Sequence, residues 1–119
     1  MEIQIKRAYE PAAAADGYRV LIDRLWPRGV SKQRAELDAW EKELGPSTEL
    51  RKWFGHEPRR FAEFRRRYID ELRDQRAVLS SLRRRARDGR LTLVHSARDT
   101  EHNDAVVLAE VLRRGLPRR

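Results

Sequence analysis

Tyr18-Arg19-Val20-Leu21-Ile22 is a run of β-formers that leads directly into Asp23-Arg24-Leu25-Trp26-Pro27-Arg28-Gly29. A strand so nearly apolar on both sides belongs inside a sheet whose faces are covered. Its carboxyl end then meets a cluster of charge, aromatic surface and backbone punctuation, which is how α/β folds often build a site. No other stretch constrains the architecture as much.

The rest of the chain supplies partners for that strand. Ile3 and Ile5 alternate with Gln4 and Lys6, so the N-terminus reads as a short strand with one wet face. Pro11, four alanines and Asp16-Gly17 make a loop. Ser31 is a candidate N-cap, Val30 and Ala35 are spaced as a hydrophobic staple, and Leu37, Trp40 and Leu44 fall on one helical stripe ended by Gly45. This predicts a helix over 32–44. A shorter helix begins at Pro46-Ser47, runs to Trp53 or Phe54 and stops at Gly55. Pro58 suits the first turn of the next helix, whose stripe is Phe61, Phe64, Tyr68 and Leu72. Leu79, Leu82 and Ala86 mark a further helix ended by Gly89.

Leu91–Ala97 is a compact strand, and Asp99-Thr100 signals the start of a last helix with Val107, Leu108, Val111 and Leu112 inward. Gly115 to Arg119 reads as a frayed basic tail. The order β, β, several helices, β, α predicts a single α/β domain over 1–119: a small mixed or mostly parallel sheet of three or more strands, covered by helices.

Composition narrows the function classes. There is no cysteine, so disulfides, thiolate metal sites and thiol nucleophiles are excluded. No apolar run approaches the roughly 20 residues of a membrane span, and MEIQIKR lacks the apolar segment of a signal peptide, which points to a soluble cytoplasmic protein. Twenty-seven Lys and Arg stand against 19 Asp and Glu, a balance that favours anionic partners. Arginine outnumbers lysine 23 to 4, however, a skew that GC-rich coding produces without functional demand. Runs such as Arg65–Arg67 and Arg83–Arg85 are by default solvated helix faces.

Two strand ends look alike: Asp23-Arg24 leaves one strand and Arg98-Asp99 leaves the other. If the strands are parallel neighbours, both pairs emerge at one carboxyl edge, where the last helix presents its N-terminus. Arg24, Arg28 and Arg98 would then converge on a phosphate or carboxylate, with Gly29 allowing close backbone approach. A salt-bridge network that merely fixes the loops is an equal alternative. Trp26 caps the core or stacks on a ligand, and Trp53-Phe54-Gly55-His56 is a second aromatic turn. Asp23, His56, Asp99 and His102 are candidate acid–base groups, and Lys32 and Asn103 join the candidate ligand set. His95 alternates with Leu91 and Leu93 and reads as a buried histidine. No His-x-x-x-His pair or compact carboxylate set predicts a metal, and no phosphate loop, nucleophile elbow or dinucleotide fingerprint calls for a cofactor.

RVLIDRLWPRGVSK, PSTELRKWFGHEP, FRRRYIDEL and LTLVHSARDTEHNDAVVL together resemble domain-of-unknown-function family 488, in its YeaO-like branch. The resemblance runs in order over nearly the whole chain. It implies a small stand-alone bacterial α/β domain and supplies no established activity. The family's pattern falls here on Asp23, Arg24, Trp26, Pro27, Arg28, Gly29, Lys32, Ser47, Glu49, Leu50, Arg51, Trp53, Gly55, His56, Asp99, His102 and Asn103.

The leading expectation is an anion-binding domain whose ligand is a phosphate-bearing small molecule or nucleotide. Behind it stand an enzyme with acid–base residues at the same edge and a nucleic-acid-binding module using the arginine-rich helices. No membrane partner is expected, and the oligomeric state stays open.

Overall fold

The central strand follows from the one segment in which every residue from Leu91 to His95 is buried. In the computed structural model, which describes residues 1–118, this segment lies in β4 (Arg90–His95), between β1 (Glu2–Arg7) and β2 (Tyr18–Leu21). Ile3 and Ile5 of β1 sit opposite Leu91 and Leu93, and Tyr18 and Val20 of β2 face the same two residues from the other side. A two-residue β3 (Ala39–Trp40) pairs with Val20 and Leu21. All pairings are parallel, in the order β1-β4-β2-β3. The expected α/β class holds, with a four-stranded sheet. β2 and β4 are parallel neighbours, so both charged strand ends leave at one edge.

Helices cover the sheet. α2 (Thr48–Phe54), α3 (Phe61–Leu72), α4 (Arg76–Asp88) and α5 (Asp104–Arg114) bury Phe54, Phe64, Tyr68, Leu72, Leu79, Leu82, Leu108 and Leu112 in one core with Val20, Leu91 and Leu93. The aromatic stripe of α3 is core, as the spacing predicts. Leu21 and Val94 face the opposite side and pack with Ala8, Val30 and Ala35 under Trp26, Leu37 and Trp40. Gly115 to Arg118 have no regular secondary structure, and Leu116 packs against the main core. The tail's last residue, Arg119, lies outside the described residues.

The helix expected over 32–44 does not form. Ser31 does cap it, its Oγ accepting from the Arg34 amide at 3.0 Å, but α1 is the single turn Lys32–Ala35. Glu36 turns left-handed at φ 43° and ends it. The backbone beyond is needed by the sheet: the Asp38 amide donates to the Arg19 carbonyl at 2.8 Å, and the Glu41 amide to Leu21 at 3.0 Å. Completing the edge of β2 therefore outweighs a helical stripe with a weak start. Leu37 and Trp40 still reach a core, the smaller one.

The start of the last helix also differs. Asp99 closes a turn of its own, and α5 begins at Asp104 with Asn103 as N-cap, its Oδ1 accepting from the Val106 amide at 3.0 Å.

A candidate ligand cavity at the carboxyl edge

Where β2 and β4 end side by side, their first loop residues join. The Asp23 carboxylate accepts from both the amide and the hydroxyl of Ser96, each at 2.9 Å. This clasp ties the two loops and leaves a cavity of about 410 Å³ above the sheet edge. Its buried walls are Pro27, Pro46, Phe54, Phe64 and Asn103. Asp23, Ser96 and Asp104 are half-buried deeper in, and Tyr9, Arg24, Leu25, Arg28 and His56 form an exposed rim with half-buried Arg51.

The rim is positively charged and partly fixed. Arg24 is braced by its Nε, which donates to the Gly45 and Pro46 carbonyls at 3.1 and 2.9 Å. Its two terminal nitrogens are not consumed by these bonds. Gly45 is required here, because a Cβ at that position would fall 2.8 Å from the Arg24 amide. Arg51 comes from α2, which is positioned by Ser47. The Ser47 hydroxyl accepts from the Leu50 amide at 3.2 Å and donates to Glu71 at 2.6 Å. Arg28 makes no hydrogen bond to a described residue. Trp26 is held edge-on to Trp40, with centroids 5.3 Å apart, and donates to the Val30 carbonyl at 2.6 Å.

Two further features mark this edge. Among the described residues, the large hydrophobic side chains left exposed are Met1, Tyr9 at 40 % and Leu25 at 62 %, and the last two stand on this rim. His56 has φ 58°, a left-handed conformation that a side chain disfavours, and its ring leans on Phe54 with centroids 6.1 Å apart. Strain of this kind concentrates at functional sites.

Asp104 faces Asp23 within hydrogen-bonding reach. Burial raises the Asp104 carboxyl well above the usual range, and the charge of Asp23 and the hydrogen bond between the two carboxyls push it the same way. Two carboxyls so placed resist being ionised together. Asp104 remains open to the cavity, so the Asp23 neighbour matters alongside burial.

The cavity brings together Asp23, Arg24, Trp26, Arg28, His56 and Asn103 from the residues that sequence singles out. Asn103 uses both ends of its amide in the α5 cap, donating to the Asp99 carbonyl at 2.8 Å. Arg98, Lys32, Gly29, Trp53, Asp99 and His102 are not on the cavity wall. Gly29 has φ 81°, and a Cβ added to it would meet open space, so it serves the turn rather than a close approach. Trp53 is covered by the guanidinium groups of Arg60 and Arg67, 5.4 and 4.5 Å from its ring. Asp99 accepts from the amides of Glu101 and His102 and meets His102 Nδ1 at 2.9 Å, while the His102 ring stands edge-on to Phe61. Those hydrogen bonds, the Glu101 amide foremost, hold the Asp99 carboxyl below its ordinary value.

Sequence reasoning stops one residue short of Asp104 and finds no partner for Ser96. Their signals are present: an acid directly after the Asn103 cap, and a serine one step beyond β4. Tyr9 and Leu25 are legible only as apolar residues in polar loops.

Charge elsewhere is largely internal. On α3, Arg66 and Arg67 bind Glu63 and Arg65 binds Glu110, and just beyond it Arg73 binds Asp70. The bonds from Arg66 and then Arg67 lower the Glu63 carboxyl to about 2. Among the described residues, no group of three or more His, Asp or Glu could hold a metal, and no helix is long and apolar enough to cross a membrane.

The fold and cavity define a small parallel α/β domain with a mixed-charge pocket at the carboxyl edge of its sheet. The chain belongs to the DUF488 family: the family model described as the inactive DUF488-N3 subclade matches residues 2–119. It is 50 % identical over 113 residues to the uncharacterized protein YeaO of Escherichia coli (strain K12), covering 95 % of this chain and 98 % of that one. It is 41 % identical over 110 residues to the uncharacterized protein Rv3073c of Mycobacterium tuberculosis (strain ATCC 25618 / H37Rv), covering 92 % of each chain. No solved structure matches it significantly.

Proposed function

We propose that this domain binds a small anionic ligand, phosphate-bearing in the simplest case, in the cavity between the β2 and β4 loops. The observation that carries this is the pairing of a three-arginine rim, Arg24, Arg28 and Arg51, with the exposed apolar side chains of Tyr9 and Leu25 around one cavity. Arginine forks suit phosphate or carboxylate, and apolar groups left in water at a cavity mouth mark a contact surface. The volume fits a metabolite or nucleotide better than a polymer.

The α5 N-terminus contributes less than its position suggests. The Ala105 and Val106 amides already bond Asp104 and Asn103, so the arginines supply the anion's partners. The description of the matching subclade as inactive favours binding over turnover. An enzyme is the second reading, because the Asp23–Asp104 pair could exchange protons at the cavity. The arginine-rich α3 face favours nucleic acid less, since carboxylates already meet three of its guanidinium groups.

A thermal-shift panel of inorganic phosphate, sugar phosphates, nucleotides and short oligonucleotides tests this. A bound ligand at about a hundred times its dissociation constant adds roughly 2.7 kcal/mol. Arg28→Ala and Arg51→Ala are each expected to weaken a phosphate-bearing ligand by about tenfold or more, as loss of a charge-assisted bond implies. A response confined to oligonucleotides and unchanged in both variants would move function to the helices.

A further inference from the structure

We infer that the ligand is zwitterionic, with its anionic end on the arginine rim and an ammonium end directed inward to Asp23 and Asp104. This inference rests on the anion-binding reading. The cavity is polarised: Arg24 and Arg28 stand exposed at its mouth with half-buried Arg51, whereas two half-buried carboxyl groups lie within hydrogen-bonding reach of each other on its wall. A simple phosphate would use the rim and leave the acidic interior unfavourable to it. Two carboxyls this close repel when both are ionised, and a cation bound beside them offsets that repulsion. An ammonium supplies three donors to such acceptors.

The placement of the pair is built rather than incidental. Asp23 is fixed by both Ser96 donors at 2.9 Å, and Asp104 accepts from the Ala105 amide at 3.0 Å.

The test compares 2-aminoethyl phosphate with 2-hydroxyethyl phosphate, and their four-carbon homologues, by calorimetric titration of the wild-type protein, Asp104→Asn and Arg28→Ala. The amine of one pair is expected to bind at least about tenfold tighter than its hydroxyl counterpart. That preference should shrink by several-fold in Asp104→Asn, which keeps the Asp23 carboxylate, whereas Arg28→Ala should weaken amine and alcohol alike. Equal binding of amine and alcohol by the wild type would overturn the inference without needing any variant, and leave the anion reading intact. A preference undiminished in folded Asp104→Asn would also overturn it. If neither pair binds but inorganic phosphate still stabilises the protein, the inference fails alone. If phosphate also has no effect, both fail.

Discussion

Replacing Arg19 with alanine is expected to cost about 3–5 kcal/mol, the usual penalty for removing one partner of a buried ion pair. Arg19 is 4 % exposed in the middle of β2, and its Nη1 donates to Asp16 Oδ2 at 2.7 Å. Its Nε and Nη2 both donate to the Ala35 carbonyl, at 3.1 and 2.8 Å, which ties the single-turn α1 to the sheet. Asp16, 2 % exposed, also receives Lys6, Gln4 and the Ala13 amide. Truncating Arg19 would leave one Asp16 contact and the Ala35 carbonyl without their donors, and Arg19→Lys should recover only part because one ammonium cannot reproduce the fork.

Urea unfolding measures the loss. Its pH dependence follows from Asp16: burial alone would raise that carboxyl, but the bonds from Ala13, Lys6, Gln4 and Arg19 together hold it far below its ordinary value. The stability it contributes is therefore full above about pH 4 and lost as pH falls further. Arg19→Ala should make that acid limb shallower without abolishing it, because the Ala13, Lys6 and Gln4 bonds to Asp16 remain. An unchanged acid limb together with a loss under about 1 kcal/mol would show that the cluster is not a stabilising unit.

Arg19 also shows where sequence patterning stops. The β2 run reads as apolar on both faces, and Val20, Leu21 and Ile22 are indeed wholly buried. The one charged member is buried too, and only the fold reveals that Asp16, three residues earlier, turns back to meet it. The adjacency of β2 and β4 is legible because both are short, apolar and followed by charge. The failed helix over 32–44 has the same root: local periodicity carries no information on a neighbouring strand edge that needs backbone partners. At the site, the loop from Asp23 to Arg28 is legible because charge, Trp and Pro are crowded together. Arg98 looks equivalent to Arg24 in sequence, but the register that sets Leu21 beside Val94 carries Ala97, not Arg98, level with Arg24, and Arg98 stays off the cavity wall. The Asp23–Asp104 meeting joins residues 81 positions apart in sequence and needs the sheet and α5 in place.

Asp104→Asn is expected to stabilise the protein by about 0.5–2 kcal/mol at neutral pH, the common yield of relieving an unfavourable charge. Asp104 holds its proton in the folded state at pH values where the unfolded chain has released it, because burial and then Asp23 disfavour its charge. The folded state thus binds more protons, and stability declines as pH rises above the unfolded carboxyl's value of about 4. This slope is opposite to the one that Asp16 produces, and lies above it in pH. Asparagine keeps an acceptor for the Ala105 amide, now met by Asp104 at 3.0 Å, and cannot ionise against Asp23. Because Asp104 keeps its proton, asparagine gives up little favourable charge at the start of α5, a contribution of at most about 0.3–1 kcal/mol. Thermal unfolding from pH 5 to 8 decides: Asp104→Asn should gain over the wild type as pH rises. A variant that is less stable across the whole range would show the acid to be a helix-start residue. A gain that grows with pH would mean the native chain keeps a destabilising acid pair at its cavity, which is the signature of a site held for binding rather than for stability.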